Sequence, residues 1–117
     1  MPAVVRIVKG DITTLDVEAI IHSVGPVWKG GTRNEAVLLA SCYENSLRLA
    51  AERNLRSIAF PAISTGAYAY PLKAATEIAI NAVRDFTSKS QAIEEVVFCC
   101  YSAEDLATYK KIYETTP

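Results

Sequence analysis

The sequence lacks an excess of charge of either sign. Twelve Lys and Arg stand against thirteen Asp and Glu, leaving −1 at pH 7. Non-specific nucleic-acid binding rests on clustered cations, so a dominant polyphosphate-binding surface is excluded and nucleic acid is not an expected partner. A nucleotide is still allowed, because backbone N–H groups can hold phosphate oxygens. No apolar run approaches the roughly 20 residues of a membrane span. A strand-like AVVRIVK follows Met1-Pro2 directly, with no leader-like pattern. The expectation is a cytoplasmic protein with no membrane contact. Cysteine is scarce and odd in number: Cys42, Cys99 and Cys100. Such residues are usually small buried hydrophobes in a reducing compartment. With His22 as the one histidine, no metal-ligand spacing exists, and neither metal nor cofactor is expected. A single Cys and His constrain little as a nucleophile and base.

What is present fits one α/β unit spanning residues 1–117, half hydrophobic and 21% charged. AVVRIVK (3–9) and VEAIIHSV (17–24) read as strands, separated by Gly10-Asp11. Gly25-Pro26 and Lys29-Gly30-Gly31 read as loop. Thr32 with Glu35 forms a capping box that opens a long helix. Ala36, Val37, Ala40, Tyr43, Leu47 and Ala50 follow at helical spacing as its buried face. Asn54 is a left-handed stop. SIAFPAI (57–63) is a short strand, with Pro61 placing the end of regular pairing. STGAYAY (64–70) is a loop, and Pro71 fits the first position of the next helix. That helix presents Ala75, Ile78, Ala79, Ala82, Val83 and Phe86. EEVVFCCY (94–101) is the last strand. Ser102 with Asp105 caps a final helix through about Tyr113. The order β-β-α-β-α-β-α predicts a mostly parallel sheet covered by helices.

In such a sheet, ligands bind beyond the carboxyl ends of the strands. Three segments gather there: Gly10-Asp11-Ile12, Ser64-Thr65-Gly66-Ala67-Tyr68, and Tyr101-Ser102. In the second, Gly66 allows a turn with N–H groups pointing inward, Ser64 and Thr65 add hydroxyls, and a helix start follows. Tyr68 and Tyr70 are flat surfaces suited to a sugar. An ordinary tight connection gives the same local pattern. Asp11 can accept from an exocyclic amine or cap a turn, and the cap is the commoner use. Tyr101 can flank a base or close the core. His22 suits a hydrogen-bonded core position, Trp28 and Tyr43 suit packing, and Arg48, Arg53 and Arg56 suit a solvated face.

VVRIVKGDITTLDVEAII resembles the opening of macrodomains, the ADP-ribose-binding α/β domains. HSVGPVWKGG, CYENSLRLA and SIAFPAISTGAYAYPLKAATEIAI resemble the second half of the bacterial O-acetyl-ADP-ribose deacetylase branch, and FPAISTGAYAYP is highly specific to that family. The resemblance implies a three-layer α/β fold, here trimmed to a mixed or mostly parallel sheet of about four strands. It implies adenine recognition by Asp11 and Ile12, and a diphosphate loop at Ser64, Thr65, Gly66, Ala67 and Tyr68. It places Tyr101 beside the adenine.

In the family, the second strand runs into an Asn-rich turn, a glycine-rich loop with an acidic residue, a helix and a further strand. Here Glu18-Ala19-Ile20-Ile21 passes directly into His22-Ser23-Val24-Gly25-Pro26. The family's water-activating residues belong to the absent block, so no catalytic residue is assigned. Asp16, Glu18 and His22 are the titratable residues near the junction. The expectation is a partial ADP-ribose or phosphate site with weak or no hydrolysis. An active deacetylase or ADP-ribosyl hydrolase, and a self-associating protein with a vestigial site, are the alternatives. The fused strand Ile20–Val24 carries no Lys, Pro or charge to guard an edge, which implies a homodimer or larger assembly.

Overall fold

The computed structural model describes residues 3–20, 33–61 and 72–115. Its elements are β1 (Val4–Lys9), a 3-10 turn (Ile12–Thr14), β2 (Ala19–Ile20), α1 (Arg33–Glu52), β3 (Ser57–Pro61), α2 (Leu72–Lys89), β4 (Glu95–Cys100) and α3 (Ala103–Thr115). The expected order is therefore present. The outer parts of the second and third predicted strands, residues 21–24 and 62–63, lie outside the described residues.

The four strands form one sheet in the order β1-β4-β3-β2, and every pairing is parallel. Parallel neighbours need crossovers, which α1 and α2 supply between β2, β3 and β4. Alternation splits the sheet into two faces. Ile58 and Phe60 of β3, with Val96, Phe98 and Cys100 of β4, join the main core. Ala59, Val97 and Cys99 are also buried but point to the other face. The helices bear on the first face through Leu39, Tyr43 and Leu47 of α1, Ala75, Ala79, Ile80 and Val83 of α2, and Tyr109 and Ile112 of α3. Four rings form its centre. Tyr43 lies 4.9 Å from Phe60 and 6.5 Å from Phe98, and Phe98 lies 5.4 Å from Tyr109, centroid to centroid. Such tilted pairs add about 0.5–1.5 kcal/mol each beyond area burial.

One predicted face needs correction. Val37 is 55% exposed, whereas Leu39 is fully buried. The buried stripe of α1 runs Leu39, Tyr43, Leu47, Ala50, at spacings of four and three. Val37 sits two residues before Leu39 and so points nearly to the opposite side of the helix.

The helix ends follow the sequence signals. Asn54 adopts φ 60°. Leu55 N–H donates to Ala50 O (2.9 Å) and Asn54 N–H to Ala51 O (3.1 Å), a Schellman closure. At α3, Ser102 Oγ accepts from Asp105 N–H at 3.1 Å. Glu104 and Asp105 lie in that first turn, where negative charge is favoured. Among the described residues, no helix is long and apolar enough to cross a membrane.

Candidate functional site

The carboxyl ends of β1 and β4 come out together. Lys9 is in register with Cys100, so Gly10-Asp11 and Tyr101 leave the sheet side by side. Gly10 is held from β4 on both of its backbone polar groups. Its N–H donates to Cys100 O at 3.1 Å, and its carbonyl accepts from Cys99 Sγ at 3.3 Å.

Asp11 then caps the 3-10 turn. Its Oδ1 accepts from Thr13 N–H at 2.9 Å and from Thr13 Oγ1 at 2.6 Å. Its carbonyl accepts from Thr14 N–H at 3.0 Å and from Thr14 Oγ1 at 2.7 Å. The Thr13 hydroxyl, followed by the Thr13 N–H, holds the Asp11 carboxyl below its ordinary range. The capping use of Asp11 is thus realised, but it engages Oδ1 alone. Oδ2 makes no hydrogen bond among the described residues, and Asp11 is exposed. One carboxylate can fix the turn with one oxygen and offer the other to a ligand N–H. Ile12, half-buried, opens the turn beside it.

Tyr101 is 91% exposed. Closing the core is therefore not its role, and its ring stands free at the end of β4. The third part of the expected site, Ser64, Thr65, Gly66, Ala67 and Tyr68, lies outside the described residues, as do His22 and Trp28. Arg48, Arg53 and Arg56 are exposed as expected.

Glu18 sits at the other end of the sheet. Its Oε1 accepts from Arg56 N–H at 2.9 Å, and its own N–H donates to Ser57 Oγ at 2.8 Å. Both bonds tie it to the amino ends of β2 and β3. It is thereby removed as a base for a ligand held at the carboxyl ends. The Cys99 and Cys100 thiols offer no nucleophile either. Burial, with the Asp105 charge next, pushes Cys100 up to about 12. Burial, with Asp11 next, raises Cys99. A protonated thiol is a poor nucleophile.

Thr13 is the residue that sequence reading passed over. Asp-x-Thr directly after a strand was its signal, because a short acceptor side chain there closes an Asx-type turn. Among the described residues, no group of three or more His, Cys, Asp or Glu could hold a metal. A surface cleft of about 590 Å³ lies between α2 and α3, lined by Lys73, Glu77, Asn81, Thr108 and Lys111 among others, and it includes none of the strand-end residues.

Comparison with known proteins places this geometry. A family model described as the Macro domain matches residues 5–79. A macro domain-containing protein of Chlorobaculum tepidum is 56% identical over 92 residues, covering 79% of this chain and 54% of that protein. An O-acetyl-ADP-ribose deacetylase of Klebsiella pneumoniae is 50% identical over 103 residues, covering 88% of this chain and 59% of that protein. The chain thus spans little more than half the length of these relatives. Among solved structures, the Oceanobacillus iheyensis macrodomain with ADP superposes with a TM-score of 0.73 at 35% identity, covering 80% of this chain and 48% of that one. The Trypanosoma brucei macrodomain in complex with ADP-ribose gives 0.79 at 24% identity, covering 92% and 68%, and so supports the fold.

Proposed function

Because this chain belongs to the macro domain family, we propose that it binds ADP-ribose or a related adenosine diphosphate and hydrolyses its esters weakly or not at all. In this reading residues 1–117 form one trimmed domain. The observation that carries the reading is the Asp11 carboxylate, anchored through Oδ1 to Thr13 and open at Oδ2, beside the bare ring of Tyr101. That pairing suits an adenine, with the carboxylate accepting from the exocyclic amine and the ring lying against the base. Ile12 packs at the rim. Ser64, Thr65, Gly66, Ala67 and Tyr68 are assigned the diphosphate, on the resemblance of their sequence.

Ester hydrolysis needs a positioned water and a group to take its proton, help worth about 10²–10⁴-fold. Glu18 is tied down at the wrong end of the sheet, and the Cys99 and Cys100 thiols stay protonated. A cytoplasmic location belongs to this reading. So does self-association, supported by β2 standing, among the described residues, at the sheet edge with β3 as its one strand partner.

Calorimetry with ADP-ribose, run beside an acetyl-ester turnover assay, tests the reading. Saturable heat with turnover far below that of a full-length relative is expected. Asp11→Ala should remove the heat. Absence of binding at millimolar ligand would sink the binding claim, and relative-like turnover would sink the claim of weak hydrolysis.

A further inference from the structure

The last contact between β1 and β4 is made by a side chain. The two strands stay in register as far as Lys9 and Cys100. Gly10 N–H extends that ladder by one bond, to Cys100 O at 3.1 Å. β4 ends there, and among the described residues no backbone amide reaches the Gly10 carbonyl. Cys99 Sγ supplies the donor instead, at 3.3 Å. The register explains how. Cys99 is paired with Val8, on the face of the sheet away from the three helices. Val8 and Gly10 share a face by the strand's period of two, so the Cys99 side chain has only to lean along the strand to meet Gly10.

The neighbouring Cys100 makes the contrast. Its side chain is fully buried in the main core, where a thiol is one more small hydrophobe. Cys99 is 5% exposed and makes a directed bond. Burial raises its thiol, and the Asp11 carboxylate is near enough to add to that rise. Cys99 is therefore an S–H donor throughout the neutral range.

A carbonyl held in place fixes the plane of the peptide it belongs to, because the C–N bond does not rotate. The peptide after Gly10 is the one that carries the Asp11 N–H. Gly10 has no side chain to restrict its torsions, and a Cβ there would meet nothing within 4 Å. Side-chain packing at Gly10 therefore does not set that plane, and the two bonds from β4 do. On the far side, Thr13 holds Asp11 Oδ1. The carboxylate is thus gripped from both directions, with Oδ2 left open. We propose that Cys99 is a positioning residue for nucleotide binding: its thiol, by donating to the Gly10 carbonyl, orients the peptide plane from which Asp11 presents Oδ2 to the base. This rests on the adenine reading of Asp11 given above and adds the group that aims it.

Calorimetry of the full chain tests this, with ADP-ribose and with the analogue carrying hypoxanthine in place of adenine. The analogue has a carbonyl oxygen where adenine has its amine, so the preference between the two measures what Asp11 contributes. Wild type should prefer ADP-ribose. Cys99→Ala removes the donor and should cut that preference by about 3- to 10-fold, the worth of one modest hydrogen bond, chiefly by weakening ADP-ribose. Cys99→Ser keeps a donor in the same place and should retain the preference. Denaturant unfolding of both variants reports stability separately, and a merely structural thiol would move stability and both affinities together. A wild type that does not bind ADP-ribose, or shows no preference for it, overturns the adenine reading and this inference with it. A wild-type preference that survives Cys99→Ala overturns the positioning role alone, as does a preference lost equally in Cys99→Ala and Cys99→Ser.

Discussion

Cys100 should make the protein unusually sensitive to alkali. Its side chain is fully buried in the main core. Burial, and then the Asp105 charge, push its thiol from 9.0 up to about 12. Below pH 9 the thiol is protonated in both folded and unfolded chains and contributes nothing to the pH dependence. Between pH 9 and pH 12 the unfolded chain gives up the proton while the folded chain keeps it. The unfolded state then binds fewer protons, so stability falls as pH rises, by about 1.4 kcal/mol per pH unit. At pH 10.5 the loss from this one group is roughly 2 kcal/mol, a large share of the 5–15 kcal/mol typical of a domain. Urea unfolding of wild type and Cys100→Ala at pH 7.5 and pH 10.5 measures it. Cys100→Ala carries its own packing cost at both pH values, and that cost cancels in the comparison. Tyr43 and Cys99, also raised by burial, lower stability with the same sign in both proteins. Wild type should lose roughly 2 kcal/mol more than the variant between the two pH values. Equal losses would show that the Cys100 thiol is not held protonated by the fold, and would refute the reasoning.

Other expectations follow from the same contacts. Phe98→Ala removes the ring that touches Tyr43, Phe60 and Tyr109, and should cost about 3–5 kcal/mol in denaturant unfolding. Tyr43→Phe should be close to neutral, because the buried Tyr43 hydroxyl finds no well-formed hydrogen bond among the described residues and has only the Tyr109 hydroxyl set against it; clear destabilisation would mean that the Tyr43–Tyr109 contact is a full hydrogen bond in solution. Thr13→Val removes the hydroxyl that contributes most to lowering the Asp11 carboxyl, so carbon-detected NMR titration should find that carboxyl moved upward. The same variant should weaken ADP-ribose binding if Oδ1 anchoring orients Oδ2.

Local signals carried the fold further than the site. Alternating apolar runs, the Ser102 cap and the Asn54 stop are short-range chemistry, and each appears where the sequence places it. The face of α1 was misread at Val37 because Val37-Ala40 and Leu39-Tyr43 both satisfy helical spacing. Only the position of the sheet beneath decides between them. Asp11 posed the same difficulty, since turn cap and ligand acceptor call for the same residue in the same place, and the two uses separate only by oxygen atom. Tyr101 reads as strand by its β propensity but lies one residue beyond the paired register of β4, where nothing covers it. Glu18 looked near the chemistry in sequence, but which end of the sheet it occupies depends on its bonds to Arg56 and Ser57.

The neighbouring of β1 and β4 has a consequence for how the protein is born. Arg6 Nη1 donates to Glu95 Oε2, a partner 89 residues away, and the whole β1–β4 ladder joins segments similarly distant in sequence. A ribosome makes the β1 half of the Asp11–Tyr101 pair well before the β4 half, since the strands that carry them pair residues 89 positions apart. Until β4 emerges, β1 has no strand to pair with, and β3 lacks its inner neighbour in the sheet. Closing so long a loop is slow relative to local helix formation. Until then the nascent chain has α1 and α2 over an unfinished sheet, exposing apolar strands to chaperones and to one another. The strand ends that would grip a nucleotide come together only when β4 docks against β1, so ligand present at that moment would favour the finished fold over its open precursors.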